Sequence, residues 1–264
     1  MTNLFRIIMK KISSFFLVLL LMLASFTAGL EYPRGDVNYD GQVSIADATC
    51  LIDYLLNGYW PEDPVTPPDT HEYVDLGLPS GTLWATMNIG ANAPGESGDY
   101  FAWGETEPKD YYDWTTYKWC NSTSSGVIKY CTNSSDGHNG FTDGKTELDP
   151  ADDAAYVNWG HSWRMPTMEQ IQELVENCSW QWTWRGQKGT GPNGNTIFLP
   201  AAGGRWYESL NSAGDWGLYW SRSLYLDDCI KAYYLDFYSN GIYCNLCQTR
   251  YGGFPVRAVR EPNK

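Results

Sequence analysis

The chain has 264 residues, 43% of them hydrophobic and 16% aromatic, enough for one domain of ordinary size with small attachments. Gly (26) and Pro (14) are frequent and long helical patterns are few, which favours a loop-rich, strand-containing fold. A formal net charge of −13 argues against nucleic acid and anionic membrane as partners. Seven Cys are present, so at least one thiol is unpaired or joins another chain. Cys120 and Cys131 are the pair expected to close.

Residues 1–29 read as a secretory signal. Arg6, Lys10 and Lys11 form its basic end, and residues 15–23 are an apolar run short for a bilayer. Ala24, Thr27, Ala28 and Gly29 offer a cleavage site. No Cys stands there for a lipid anchor, and no membrane span is expected after cleavage. The alternative is an uncleaved anchor. Export permits disulfides.

Residues 30–58 contain GDVNYDGQVSIADATCLIDYLLNG. Asp36, Asn38, Asp40 and Asp47 occupy positions 1, 3, 5 and 12 of an EF-hand-type loop, with Gly41 at 6. With the peptide carbonyl of Gln42, these oxygens suit one Ca²⁺, and the glycine permits the sharp turn. Asp at the last position, where EF-hands carry Glu, is a departure. Ala48, Leu51, Ile52, Leu55 and Leu56 then recur at helical spacing. The segment resembles one repeat of a type I dockerin, which implies a cohesin-like partner. Dockerins carry two such repeats, and no second one occurs in this sequence. Residues 59–71 hold Pro61, Pro64, Pro67 and Pro68 and read as a semi-rigid linker.

Residues 72–264 form the large domain. Strand-like segments flank the turn Pro79-Ser80-Gly81. Residues 121–150 are polar and read as surface loop. Thr167 and Gln170 form a capping box for a short helix whose buried stripe is Met168, Ile171, Leu174 and Val175, closed by Cys178. Trp180, Trp182 and Trp184 alternate as on a strand. Residues 189–195 read as a tight loop, and residues 197–200 as a strand. In residues 233–238, Tyr233, Leu235 and Phe237 alternate with Tyr234, Asp236 and Tyr238. Period two predicts a strand with the first set in the core and the second outward. Outward aromatics with an acid suit a binding surface, because rigid rings give contact area at little entropic cost. Trp84 and Trp103 read as core; Trp206, Trp216 and Tyr225 suit core or ligand platform alike.

Catalytic devices are scarce. Gly189 to Gly194 fits GxGxxG by the letter, but the expectation is no strand before it and no helix after it, hence a hairpin loop. Cys244 and Cys247 form a CxxC without a second pair at zinc spacing. His71, His138 and His161 are scattered. No convergent nucleophile or acid–base set is seen, and no enzyme is expected.

The motifs YVDLGLPSGTLWAT, GDYFAWGETEPK, HSWRMPTMEQIQELVENC, GNTIFLPAAGGR, YWSRSLY, AYYLDF and RYGGFPVRAVRE occur in that order. Together they resemble the Fibrobacter succinogenes major paralogous domain. The resemblance implies an α+β, C-type-lectin-like fold, a loop-rich mixed sheet with few short helices. It also implies secretion from Bacteroidetes-type bacteria and no catalytic activity. Formylglycine-generating enzymes share the fold class, but Cys244 and Cys247 do not match the spacing of their cysteine pair. The calcium-dependent sugar motif of animal lectins is not matched either: Glu261-Pro262-Asn263 stands without a Trp-Asn-Asp. Some members of the family are variable proteins of diversity-generating retroelements, rewritten at adenine-containing codons. Tyr234 and Asp236 stand where relatives often carry Asn, and each is one adenine replacement from an Asn codon. The expected ligand-binding set is Trp206, Tyr207, Asp215, Trp216, Arg222, Leu224, Tyr225, Asp227, Asp228, Tyr234, Asp236, Tyr238, Tyr243, Asn245, Leu246 and Gln248. The expected ligand is a protein or glycan. The alternative function is a carbohydrate-binding accessory of a polysaccharide-degrading assembly.

Overall fold

The computed structural model describes residues 71–121, 126–160 and 162–261. The leader, the calcium loop with Asp36, Asn38, Asp40, Gln42 and Asp47, and nearly all of the linker lie outside the described residues. Contacts divide the chain into Met1–Pro68 and Asp69–Lys264. The second unit is sheet-rich with few short helices, an α+β arrangement.

Its two ends meet in one small sheet. Strand β1 (Tyr73–Asp75) pairs with β2 (Leu83–Ala85), and β2 pairs with β11 (Val259–Arg260). The Pro79-Ser80-Gly81 turn lies between the first two, as expected. Asp153 caps α1 (Ala154–Trp159), accepting from the amides of Ala155 and Tyr156. Its carboxylate also pairs with Arg164 at 3.0 Å. Sequence periodicity missed this six-residue helix, which is too short to show an amphipathic repeat.

Helix α2 (Met168–Asn177) carries the expected capping box between Thr167 and Gln170. Met168, Ile171 and Leu174 are buried; Val175 is half-buried on the same cluster. Replacing Thr167 with alanine removes the acceptor for the Gln170 amide, so we expect a loss of about 1 kcal/mol, read as a lower urea midpoint at unchanged m-value.

Three antiparallel strands follow: β3 (Ser179–Thr183), β4 (Gly186–Thr190) and β5 (Thr196–Pro200). Trp180 and Trp182 lie on β3, but Trp184 lies beyond it, in the turn to β4. The GxGxxG segment begins on β4, so a strand does precede it. A second strand, β5, follows, and the segment is a β-hairpin. Strands β6 (Gly204–Trp206) and β7 (Ser209–Asn211) form a two-stranded ribbon.

The central sheet comprises β8 (Gly217–Leu224), β9 (Lys231–Tyr238) and β10 (Gly241–Thr249), in the order β10-β9-β8. Apolar residues cover it on both faces. Tyr219, Leu235 and Phe237 pack in one cluster with α2, Leu199 and Trp84. Leu218, Trp220 and Tyr234 pack in another with Phe101, Trp103 and Phe254. The strands approach closely at Gly217, where a Cβ would run into the Phe237 ring.

Two expectations are corrected here. Residues 121–150 are not simply surface loop: Val127, Tyr130, Cys131 and Leu148 are buried in the second cluster, which polar composition conceals. The disulfide is Cys131–Cys229, not Cys120–Cys131; the chain path brings the Cα atoms of residues 98 apart in sequence to 5.2 Å. Burial of Arg250 nearby organises this region. Its guanidinium donates to the carbonyls of Lys129, Tyr130 and Cys229 and to the Tyr117 hydroxyl.

Candidate functional site

Strand β9 was expected to turn one face to solvent. Instead, Tyr234 is 7% exposed and Asp236 6%, because residues of the 100–103 and 252–256 segments cover that face. Tyr234 lies against Trp220 and Phe254. It is a core residue, and burial pushes its hydroxyl up to about 12. Leu224 is also core, at 1% exposure. Neither presents an open contact surface, contrary to the sequence expectation. Period two reports alternation, but not whether a second layer covers the other face.

Asp236 is a different case. It is buried and acidic, and among the described residues its hydrogen-bond donor is the Trp216 indole N–H. Burial holds its carboxyl above the ordinary carboxylate value, and the Trp216 bond offsets this only in part. Its cross-strand neighbours are Leu218 on β8 and Tyr243 on β10. Directly opposite residues share a face with Cβ atoms about 5 Å apart, so Tyr243 stands beside the carboxylate. The Tyr238 and Tyr243 rings stack at 5.5 Å between centroids, and both are exposed.

Two further loops converge on this end of the sheet. The β3–β4 turn carries Trp184, 79% exposed, and Arg185 at φ 60°. Arg185 donates to the Ala213 carbonyl at 3.1 Å, and its own carbonyl accepts from the Ala201 amide at 2.7 Å. Gly214, at φ 93°, lies directly under that guanidinium: a Cβ there would meet it. Gln187 on β4 donates to the Tyr238 carbonyl at 3.1 Å. These bonds tie the Trp184 turn, residues 212–216 and the β9–β10 turn together. Trp216, Tyr238 and Tyr243 thus lie about Asp236, and Trp184 stands exposed at the tip of the β3–β4 turn. Trp184 and Arg185 were missed as site residues. The Trp180-Trp182-Trp184 alternation made Trp184 look like strand interior, whereas Gly186 two residues on is the available turn signal.

The other expected residues divide. Trp206 is half-buried, edge-on to Phe254 at 5.4 Å, and Tyr207 is exposed, edge-on to Tyr111 at 5.9 Å. Asp215 is exposed beside Trp216. Arg222 pairs with Glu147 at 3.0 Å and donates to the Met165 carbonyl, so it ties segments together. Tyr225 donates to Asp227 at 3.1 Å and meets Tyr233 edge-on; Asp228 pairs with Lys231 at 2.9 Å. Asn245 and Leu246 are exposed at a register shift in β10, and Gln248 is half-buried. Cys244 and Cys247 are half-buried, and burial pushes both thiols up, away from thiolate character. Among the described residues no group of His, Cys, Asp and Glu is placed to hold a metal ion. No helix among them is long and apolar enough to cross a membrane.

The raised Asp236 carboxyl has a thermodynamic consequence. Its folded pKa exceeds the unfolded value of 3.8, so the folded state binds that proton more tightly. The associated destabilisation is present at neutral pH and disappears as pH falls through the folded pKa. Asp236→Asn retains an acceptor for Trp216. We expect it to be more stable than wild type at pH 7 and to lose that advantage on acidification, measured by urea unfolding across pH. Comparison of the chain with protein-family models, curated proteins and solved structures finds no match.

Proposed function

We propose that the Asp69–Lys264 unit is a C-type-lectin-like binding domain of an exported protein, with a ligand site at its C-terminal face. The carrying observation is the buried Asp236 carboxylate, bonded by the Trp216 indole and beside the exposed, stacked rings of Tyr238 and Tyr243. Aromatic anchors with a few placed polar groups are how such surfaces obtain affinity. In this reading the protein recognises and does not catalyse. A Ca²⁺ ion held by Asp36, Asn38, Asp40, Gln42 and Asp47 orders a dockerin-like repeat, which takes a cohesin-like partner.

We further propose that the face is diversified by a retroelement. The ordered motifs in residues 72–261 support this, whereas burial of Tyr234 and Asp236 places two of the expected variable positions off the open surface. Sequencing the locus in sister isolates tests it. The expected result is a nearby reverse transcriptase and a template repeat differing from the gene at adenines between codons 206 and 250. A fixed coding region without a template overturns diversification. The second reading, a carbohydrate-binding accessory, is favoured by Trp184, whose open ring suits stacking on a sugar face. A glycan array with the full chain decides it: glycan capture that Trp184→Ala abolishes supports this reading, and no capture overturns it.

A further inference from the structure

Asp236 is a buried carboxylate with no counter-charge among the described residues. Among the described residues, the ion pairs of the neighbouring strands are Arg222–Glu147 and Lys231–Asp228, and neither involves it. Its satisfied oxygen rests on one neutral donor, the Trp216 indole. Carboxylates rarely stand buried in this way, because desolvation is costly unless a cation or several donors repay it. Nor does the fold gain by it, since an amide would accept the same bond.

The surroundings of the carboxylate have a definite chemistry. Tyr243 is its cross-strand partner, and Tyr238, two residues along the same face, stacks on Tyr243. Leu246 adds exposed apolar surface on β10. Tyrosine and tryptophan faces attract cations through the ring quadrupole, while the same rings pack on methylene groups. The chain's net charge of −13 raises the local concentration of cations and repels anions.

Resting on the binding-face reading above, we infer that this site takes an alkylammonium group, such as the end of a lysine side chain on a ligand, with Asp236 as its counter-ion and Trp216, Tyr238 and Tyr243 as its walls. The ammonium supplies donors and charge that the carboxylate lacks. The stem of the ligand covers the apolar parts of the rings and Leu246.

The test uses the full chain with ¹⁵N-labelled tryptophan, the Trp216 indole resonance being assigned through Trp216→Phe. The probes are Nα-acetyl-lysine methylamide, its neutral Nε-acetyl counterpart and Nα-acetyl-glutamate methylamide. The lysine probe is expected to move the Trp216 indole resonance saturably, with the neutral probe about tenfold weaker or more and the anion inert. Asp236→Asn is expected to weaken the lysine probe about tenfold, and Tyr243→Ala, an exposed position, severalfold. The other indole resonances report that each variant is folded. Equal binding of lysine and neutral probes, unchanged lysine binding by Asp236→Asn, or no shift with any probe overturns the inference. A glycan or protein ligand whose capture needs Tyr243 but survives Asp236→Asn overturns it too, while leaving the binding face standing.

Discussion

Replacing Arg250 with alanine is expected to cost about 3–5 kcal/mol, in the range for stripping a partner from a buried charged network. For a domain of this size that lowers the melting temperature by roughly 6–20 °C. The side chain is wholly buried. Its guanidinium donates at 2.8 Å to Tyr117 and to the Cys229 carbonyl, at 2.9 Å to Lys129 and at 3.1 Å to Tyr130. It also lies 4.8 Å from the centroid of Trp103. Truncation leaves two buried carbonyls and the part-buried one of Lys129 without this donor, and a void against an aromatic ring. Arg250→Lys should recover little, since an ammonium cannot span the fork of acceptors. Thermal unfolding followed by circular dichroism measures both. A fall below about 2 °C for the alanine variant would show that the carbonyls find other partners.

The double variant Cys131→Ala, Cys229→Ala should lose about 2–5 kcal/mol, because the bond closes a loop of nearly a hundred residues in the unfolded chain. Urea unfolding of wild type and variant, both without reductant, gives the difference; coincident curves would show that the bond adds no stability. The effects of the two predictions should not add. Arg250 binds the carbonyls of Cys229 and of Tyr130, next to Cys131, so the bond and the guanidinium hold the same junction. A triple variant therefore measures a coupling energy, expected to be about 0.5–3 kcal/mol.

Local chemistry was legible in the sequence where it is self-contained. The Thr167–Gln170 capping box, the α2 stripe, the turn at Pro79-Ser80-Gly81 and β5 each depend on neighbours a few residues away. The period-two reading of residues 233–238 was right about the strand and about exposed Tyr238, and wrong about Tyr234 and Asp236, which are buried. Which face of β9 meets water depends on residues 100–103 and 252–256, far away in sequence. Arg250 and Cys229 illustrate the same limit. Neither side chain's partners lie within twenty positions, and composition marks residues 121–150 as polar although Val127 and Tyr130 are wholly buried. Of the site, Trp216, Tyr238 and Tyr243 were anticipated. Trp184 was not, because its role depends on a hairpin tip tied to residues 212–216.

Strand β10 lies at the border of its sheet, and its register slips between Tyr243 and Leu246, with Asn245 at φ 63°. A straight border strand with exposed Tyr and Leu would be a template for another chain. The one extra residue kinks the strand and tilts its outer N–H and C=O groups out of line. Copies crowded together at high concentration therefore cannot zip β10 to β10 over its length. The exposed Tyr243 and Leu246 side chains at the rim thus stand open to water without driving the molecule into fibres.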